Sequence, residues 1–212
     1  MDNPVIIFGA NHLGKSAKEI FESNGNVVYG FLDERKELHG TEINDTNVLG
    51  SPDDDGFLKL IGKKCEAFVA ADDTRIHRAT VRMLNEKRHV QPVNAIHQEA
   101  IMSKYAEMGH GNLVDRGVTV APGAAIGSYC TIQTNAIIGV DAKIGDYVQI
   151  GAGSIINAEV TIADDVFIGA GVTIVAGVTI GKGARIGLGS VVIASVKVGE
   201  TVFGNPAQAV NS

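Results

Sequence analysis

Imidazole is the side chain best suited to moving protons near neutral pH. The 212-residue sequence holds six, His12, His39, His77, His89, His97 and His110, and none after that. His12 has the most suggestive setting, in Gly9-Ala10-Asn11-His12-Leu13-Gly14 directly after the apolar run Val5-Ile6-Ile7-Phe8. A glycine just past a strand lets the backbone turn tightly and frees the next amides to face an anion at a helix N-terminus. The same glycine also suits a plain turn in a small α/β domain, and both readings stay open at this point. Acidic pairs close two further apolar runs: Asp33-Glu34 after Val27 to Leu32, and Asp72-Asp73 after Ala67 to Ala71. Among the later residues Asp141 is a carboxylate beside a valine, Val140.

The elements that must position these groups alternate. Strand, glycine turn and a helix carrying Ala17, Ile20 and Phe21 lead to a second strand, then to a third strand and a helix carrying Ile76, Ala79, Thr80, Met83 and Leu84. The order is βαβ-like, a Rossmann-like α/β domain with acids at the carboxyl end of its second parallel strand. GxxxxG is not the dinucleotide fingerprint, which argues against NAD. Asp53-Asp54-Asp55 reads as the solvated start of a helix through Phe57, Leu58 and Ile61. Pro92 interrupts the pattern, so the domain boundary is placed near residue 95, giving domains 1–95 and 96–212.

The second domain is periodic. From Met108 to Val198 every sixth residue is aliphatic, sixteen times over, and four residues after each stands Val, Ala, Cys or Ser, with Asn112 the one exception. Every sixth residue therefore meets the same surroundings, as when short strands stack into coils around one core. At three hexads per coil the run makes about five coils.

Net charge of −6 leaves no broad basic field for nucleic acid or an acidic membrane surface. There is no apolar run of 18 residues for membrane insertion, and the Met1-Asp-Asn-Pro start lacks the regions of a signal peptide, which predicts a cytoplasmic address. Cys65 and Cys130 have no metal-like spacing and read as buried free thiols in different domains. No metal site is expected.

Hexads such as Lys143-Ile-Gly-Asp-Tyr-Val and Thr179-Ile-Gly-Lys-Gly-Ala resemble the hexapeptide-repeat acyltransferases. The resemblance implies a left-handed parallel β-helix with three flat faces. Gly9-Ala10, Phe31-Leu32-Asp33, Ile96-His97 and Gly204-Asn205-Pro206-Ala207 together look like the members that modify sialic acid or nucleotide-linked amino-sugars. This implies a homotrimer with the sugar or UDP-sugar acceptor in the first domain and acetyl-CoA between neighbouring β-helices. Acceptor contacts would come from Gly9, Asn11, His12, Leu13, Asp33, Glu34 and Asp72. Acyl-CoA contacts would come from Gln149 and from the backbone at Ala170 and Leu188, with Lys182 and Arg185 either near its phosphates or ordinary charged corners.

The chain departs from this family where the base should be. The family places a His beside an acid; here the hexad is Ile138-Gly139-Val140-Asp141, so the acid remains as Asp141 while Val140 replaces the base, and a second family His is matched by Gln149. His12 is the alternative base, and His110 reads as a solvated corner. Asp72-Asp73 stands where relatives carry a Gly-Asn-like pair, and its charge would oppose a diphosphate. Two functions follow: a weakened acyl-CoA-dependent sugar acyltransferase with Asp141 or His12 in the catalytic role, or a catalytically silent ligand-binding or scaffold trimer. A three-histidine metal lyase on the same solenoid fails for want of histidines in the coils.

Overall fold

A computed structural model describes residues 3–210. The chain divides into two compact units, 1–98 and 99–212. In the first, strand β1 (Val5–Phe8) is buried throughout and lies between β2 (Val28–Leu32) and β5 (Glu66–Val69), parallel to both. Such full burial on both faces is why β1 reads as an unbroken apolar run. Helix α1 (His12–Ser23) follows β1 and buries Leu13, Ala17, Ile20 and Phe21, with Phe21 edge-on to Phe68.

Beyond β2 the sheet gains a hairpin that the sequence reading did not anticipate. Its strands β3 (Glu42–Ile43) and β4 (Thr46–Gly50) are antiparallel, and β4 pairs in parallel with β2. The two turn residues Asn44 and Asp45 both have positive φ, 47° and 61°, as a type I′ turn requires. Helix α2 is only Asp55–Leu58, capped by Asp54, so Ile61 lies outside it.

Helix α3 (Thr74–Arg88) buries His77, Val81 and Leu84, while Ile76 and Ala79 are exposed. His77 turns inward and hydrogen-bonds the backbone of Ala71. Ile76 lines the cavity described below.

In the second unit, two-residue strands stack at a spacing of 18 residues. One face runs Ile101–Met102, Thr119–Val120, Ile137–Ile138, Ile155–Ile156, Thr173–Ile174 and Val191–Val192, each pairing in parallel with the next. Two further faces repeat the arrangement, six and twelve residues on. The second residue of each strand points inward together with the small residue two places before it, so Val118 with Val120, or Ala136 with Ile138, is sealed from solvent. Asn112, the exception in the small slot, is buried and satisfies its amide against the next coil, accepting from the Cys130 N–H and donating to the Gly127 carbonyl.

Between strands every coil turns a corner, and the third residue after each inward aliphatic one has positive φ without interruption from Gly111 to Gly189. Glycine fills eight of these fourteen positions, and the rest are Tyr129, Asn135, Asp141, Tyr147, Glu159 and Asp165. Left-handed backbone is strained for a bulky side chain. Tyr129 and Tyr147, one coil apart, stack with ring centroids 4.8 Å apart, a contact that offsets part of that strain.

The periodicity ends earlier than the sequence pattern suggests. Val198 is 76% exposed, while Val196 bridges to Ile180 and Val202 lies opposite Ile186. The last coil is two residues short, which throws Val198 out of the core. The final strand, Thr201–Gly204, folds back in a hairpin with Ala207–Ala209. Cys65 and Cys130 are buried free thiols, and burial pushes the Cys130 thiol up to about 12. Among the described residues no helix is long and apolar enough to cross a membrane.

Burial of His77 lowers its pKa from 6.5 to about 4, against a smaller raising effect of its Ala71 hydrogen bond. A group with a depressed basic pKa binds its proton in the unfolded chain first, so its stabilising effect is complete above pH 6.5 and declines as pH falls toward 4. The first unit should lose roughly 3 kcal/mol across that window. Denaturant midpoints of the protein and of His77→Gln, measured from pH 7 to pH 4, check this, because the variant should lack most of the slope.

Candidate active site

The carboxyl ends of β1, β2 and β5 enclose a cavity of about 340 Å³ in the first unit. Phe8, Leu32 and Val69, the last residues of the three strands, line it together with Pro52, Ile76 and Thr80. The location follows from topology. The connection after β1 leads to β2 on one side, whereas β5 returns to the other, and the crevice at such a switch point is where open α/β sheets hold ligands.

Two glycines shape its lip. Gly9 has φ of +112°, and a Cβ there would meet the Ala70 carbonyl oxygen at 2.3 Å; a Cβ on Gly14 would meet the Gly9 carbonyl oxygen at 2.0 Å. Gly9 therefore makes the turn and Gly14 lets α1 lie close against it. Asn11 caps the helix by accepting from the Gly14 N–H at 2.9 Å and donates to the Ala70 carbonyl at 2.9 Å, tying α1 to the end of β5.

Three of the four carboxylates lining the cavity are engaged. Asp33 is buried; its Oδ2 accepts from the Ala10 N–H at 2.7 Å, and both oxygens take a bidentate grip from Arg35. Burial pushes its pKa up, but the Arg35 side-chain bond, the amides of Ala10 and Arg35 and the Arg35 charge outweigh this and hold it at about 2. Asp72 pairs through Oδ1 with His12 Nε2 at 3.3 Å, and its Oδ2 lies 3.4 Å from the Asn11 amide nitrogen. Asp73 caps α3, accepting from the Arg75 N–H, and pairs with the Arg75 side chain, whose hydrogen bond first and whose charge also hold its pKa at about 2. Glu34 is exposed at the cavity and makes no such bond.

The first-unit residues expected from sequence are thus brought together, with a division of labour. Gly9 is structural, Asn11 and Asp33 hold the lip, Leu13 is buried in α1, and His12, Asp72 and Glu34 face outward. His12 is 71% exposed. Arg35, Pro52, Ile76 and Thr80 were missed. Arg35 directly follows the acid pair, which was the available signal, whereas Pro52 depends on the unanticipated hairpin.

In the β-helix, Val140 and Asp141 sit together at one corner, both exposed, with Glu159 directly below Asp141 in the next coil. The Asp141 carboxylate lies over Gly123, one coil above. Ala170 and Leu188 stack at a different corner, linked through the Gly189 N–H to the Ala170 carbonyl, and Gln149 is on the strand leading to that column. Within one chain Asp141 is therefore separated from this column. Lys182 is tied to Asp164 and Asp165, and Arg185 lies over the Phe167 ring.

The model of the bacterial transferase hexapeptide (six repeats) family matches residues 141–176 and 159–194. Matching solved structures span the whole chain. PerB from Caulobacter crescentus, in complex with CoA and GDP-perosamine, has a TM-score of 0.90 and 26% identity, covering 100% of this chain and 99% of that one. The second unit thus carries bacterial transferase hexapeptide repeats, and the whole chain is similar in fold to this N-acetyltransferase. The chain's β-helix is accordingly left-handed. The acetyltransferase domain of PglB from Neisseria gonorrhoeae FA1090, in complex with acetyl coenzyme A, matches with a TM-score of 0.90 and 25% identity over 99% of this chain and 100% of that one. WeeI from Acinetobacter baumannii AYE has a TM-score of 0.86 and 27% identity over 98% and 99%. A comparison with curated protein sequences gives no match.

Removing the charge of Asp33 should loosen β1, α1 and β2 at once. Asp33→Asn should lower the stability of the fold by roughly 1–3 kcal/mol, while Glu34→Gln, at an exposed carboxylate without such bonds, should stay within about 0.5 kcal/mol of the parent. Thermal and denaturant unfolding of the three proteins at pH 7 checks the contrast.

Proposed function

We propose that this chain transfers an acyl group from acyl-CoA to the amine of a nucleotide-linked amino-sugar, with the acceptor's nucleotide in the first-unit cavity and acyl-CoA against the β-helix at Gln149, Ala170 and Leu188. The observation that carries this reading is the match over the full chain to PerB with both CoA and GDP-perosamine bound. The cavity at the switch point agrees with it, since that crevice is where open α/β sheets hold ligands. The amine attacks the thioester carbonyl, the C–N bond forms, the C–S bond breaks, and CoA leaves as its thiol while the nitrogen gives up one proton.

Val140 stands where the family's imidazole is expected, so this enzyme lacks the usual acceptor of that proton. A general base typically contributes 10²–10⁴-fold, and an amine that is partly neutral attacks without one, whereas a hydroxyl does not. The reading therefore favours N-transfer. Asp141 remains as a carboxylate beside Val140, where the resemblance places the family's base. His12, held by Asp72, is the rival base.

Ile137 and Ile155 pair on one face and are exposed, and Val140 and Val175 follow on the adjoining corner. We assign this apolar strip to contact with further copies of the chain in a homotrimer. Light scattering at micromolar concentration should give three times the chain mass; a monomer would remove the proposed CoA groove.

The activity is tested by thiol release from acetyl-CoA with nucleotide amino-sugars as acceptors. Val140→His should raise the rate by one to three orders of magnitude, with Gln149→His added where the single change falls short. If His12 is the working base, His12→Ala abolishes the native rate and Val140→His adds little. Calorimetric binding of acetyl-CoA with no turnover in the native chain or in Val140→His would favour the silent trimer.

A further inference from the structure

The cavity at the ends of β1, β2 and β5 offers a ligand an unusual balance of polar groups. Several of its donors are spent within the fold. Two of the five N–H groups of the Arg35 guanidinium go to Asp33, the Asn11 amide donates to the Ala70 carbonyl, and the Thr80 hydroxyl donates to the Ile76 carbonyl. Its acceptors are not all spent. Asp33, Asp72 and Asp73 are held by Arg35, His12 and Arg75, which leaves Glu34 as the lining carboxylate with both oxygens open to a ligand. Around it the lining is apolar, from Phe8, Leu32, Val69, Pro52 and Ile76.

A flat aromatic base suits those apolar groups, and the polar edge decides which base. A carboxylate accepts two parallel hydrogen bonds from two adjacent N–H donors in one plane. Guanine presents that pair on its N1–H and N2 amino group. Uracil and thymine present one N–H between two carbonyl oxygens, which a carboxylate repels. An ammonium group would also meet Glu34, but it would strand its charge among apolar groups and gain little from them. At about 340 Å³ the cavity has room for a purine base with part of its ribose.

We propose that Glu34 reads the Watson–Crick edge of guanine, so that the acceptor is a guanosine-diphosphate-linked amino-sugar. This rests on the proposed function only in taking the cavity to hold the acceptor's nucleotide. Asp33 fixes Arg35 and the β1–α1 turn, and Glu34, the next residue, is thereby set at the mouth of the cavity while remaining free to bind.

Isothermal titration of the full chain with GDP, UDP and dTDP tests it, using the nucleotides alone so that no knowledge of the sugar is required. GDP should bind at least tenfold more tightly than either pyrimidine nucleotide. Glu34→Gln replaces one acceptor with a donor that opposes guanine, and it should weaken GDP roughly ten- to hundredfold while leaving UDP and dTDP within about threefold. Its thermal midpoint, recorded beside the titration, shows that the fold is intact. Glu34→Asp, which keeps the charge but shortens the reach, should retain the order GDP before UDP and guards against an artefact of the first variant. Equal binding of the three nucleotides, or a guanine preference unchanged in Glu34→Gln, would overturn the assignment and leave the nucleotide-acceptor reading standing. Absence of binding by all three at millimolar concentration would overturn both.

Discussion

Each coil of the β-helix must bring the chain back to the same inward position after 18 residues, and that requirement governs most of the second unit. Three straight two-residue strands cannot close a triangle unless every corner turns sharply. The turn is made by the residue with positive φ, so one left-handed position per hexad is the condition on which the stack depends. Once it is met, inward residues of successive coils fall above one another, backbone ladders run along three faces, and the Ile and Val stripe becomes a continuous core. When it fails to recur in step, as after Val192, the core residue is lost and the chain leaves the helix in a hairpin.

The corners also explain where polar side chains can stand. Asp146 accepts from the Ser128 N–H, and Asp164 accepts from the Asp146 N–H, so each carboxylate serves the coil before it, and Lys182 ends the column. Acids at these corners are backbone caps, and charge there needs no ligand to account for it. Asp141 belongs to a neighbouring kind of position, lying over Gly123 in the corner column that also holds Glu159. The structural work of a corner is done by its backbone angle, whereas the side chain is left to whatever touches the outside.

This difference explains what could be read from the sequence. The solenoid was legible because sixteen near-identical hexads state the same constraint repeatedly, and errors in one are corrected by the next. Its end was misread since Val198 continues the spacing although the coil has lost two residues. In the first unit, β1, α1 and β2 were legible from an apolar run and a glycine turn. The phase of α3 was not, because a histidine occupies its inward face and an isoleucine its outward one, the reverse of their usual places. The hairpin β3–β4 was overlooked although Asn44-Asp45 is a turn signal of some strength, its strands being too short and too polar to show alternation. Of the site, the acid pairs were visible, but nothing in the sequence distinguishes Asp33, which is fully occupied by Arg35 and Ala10, from Glu34, which is not. That distinction is made by a bond geometry between residues two apart and 23 apart.

The same separation of fold from chemistry bears on the proposed exchange of an imidazole for Val140. Val140 is an outward corner residue, so exchanging histidine for valine there leaves inward packing, ladders and turn angle unchanged. A catalytic group at such a position can be lost without cost to folding, and the fold then says nothing about whether the loss was tolerated by the reaction. What decides is the pKa of the nucleophile. A hydroxyl is almost wholly protonated at neutral pH and depends on a base within hydrogen-bond reach, whereas a sugar amine with a depressed pKa carries a lone pair already, and the thiolate of CoA is a far better leaving group than an alkoxide or an amide anion. For an amine the base accelerates proton removal after attack and does not create the nucleophile. Under the proposed N-transfer, the crevice of the first unit serves the acceptor and the corners of the β-helix the thioester, and the side chain exchanged at Val140 is the one that O-transfer could not spare.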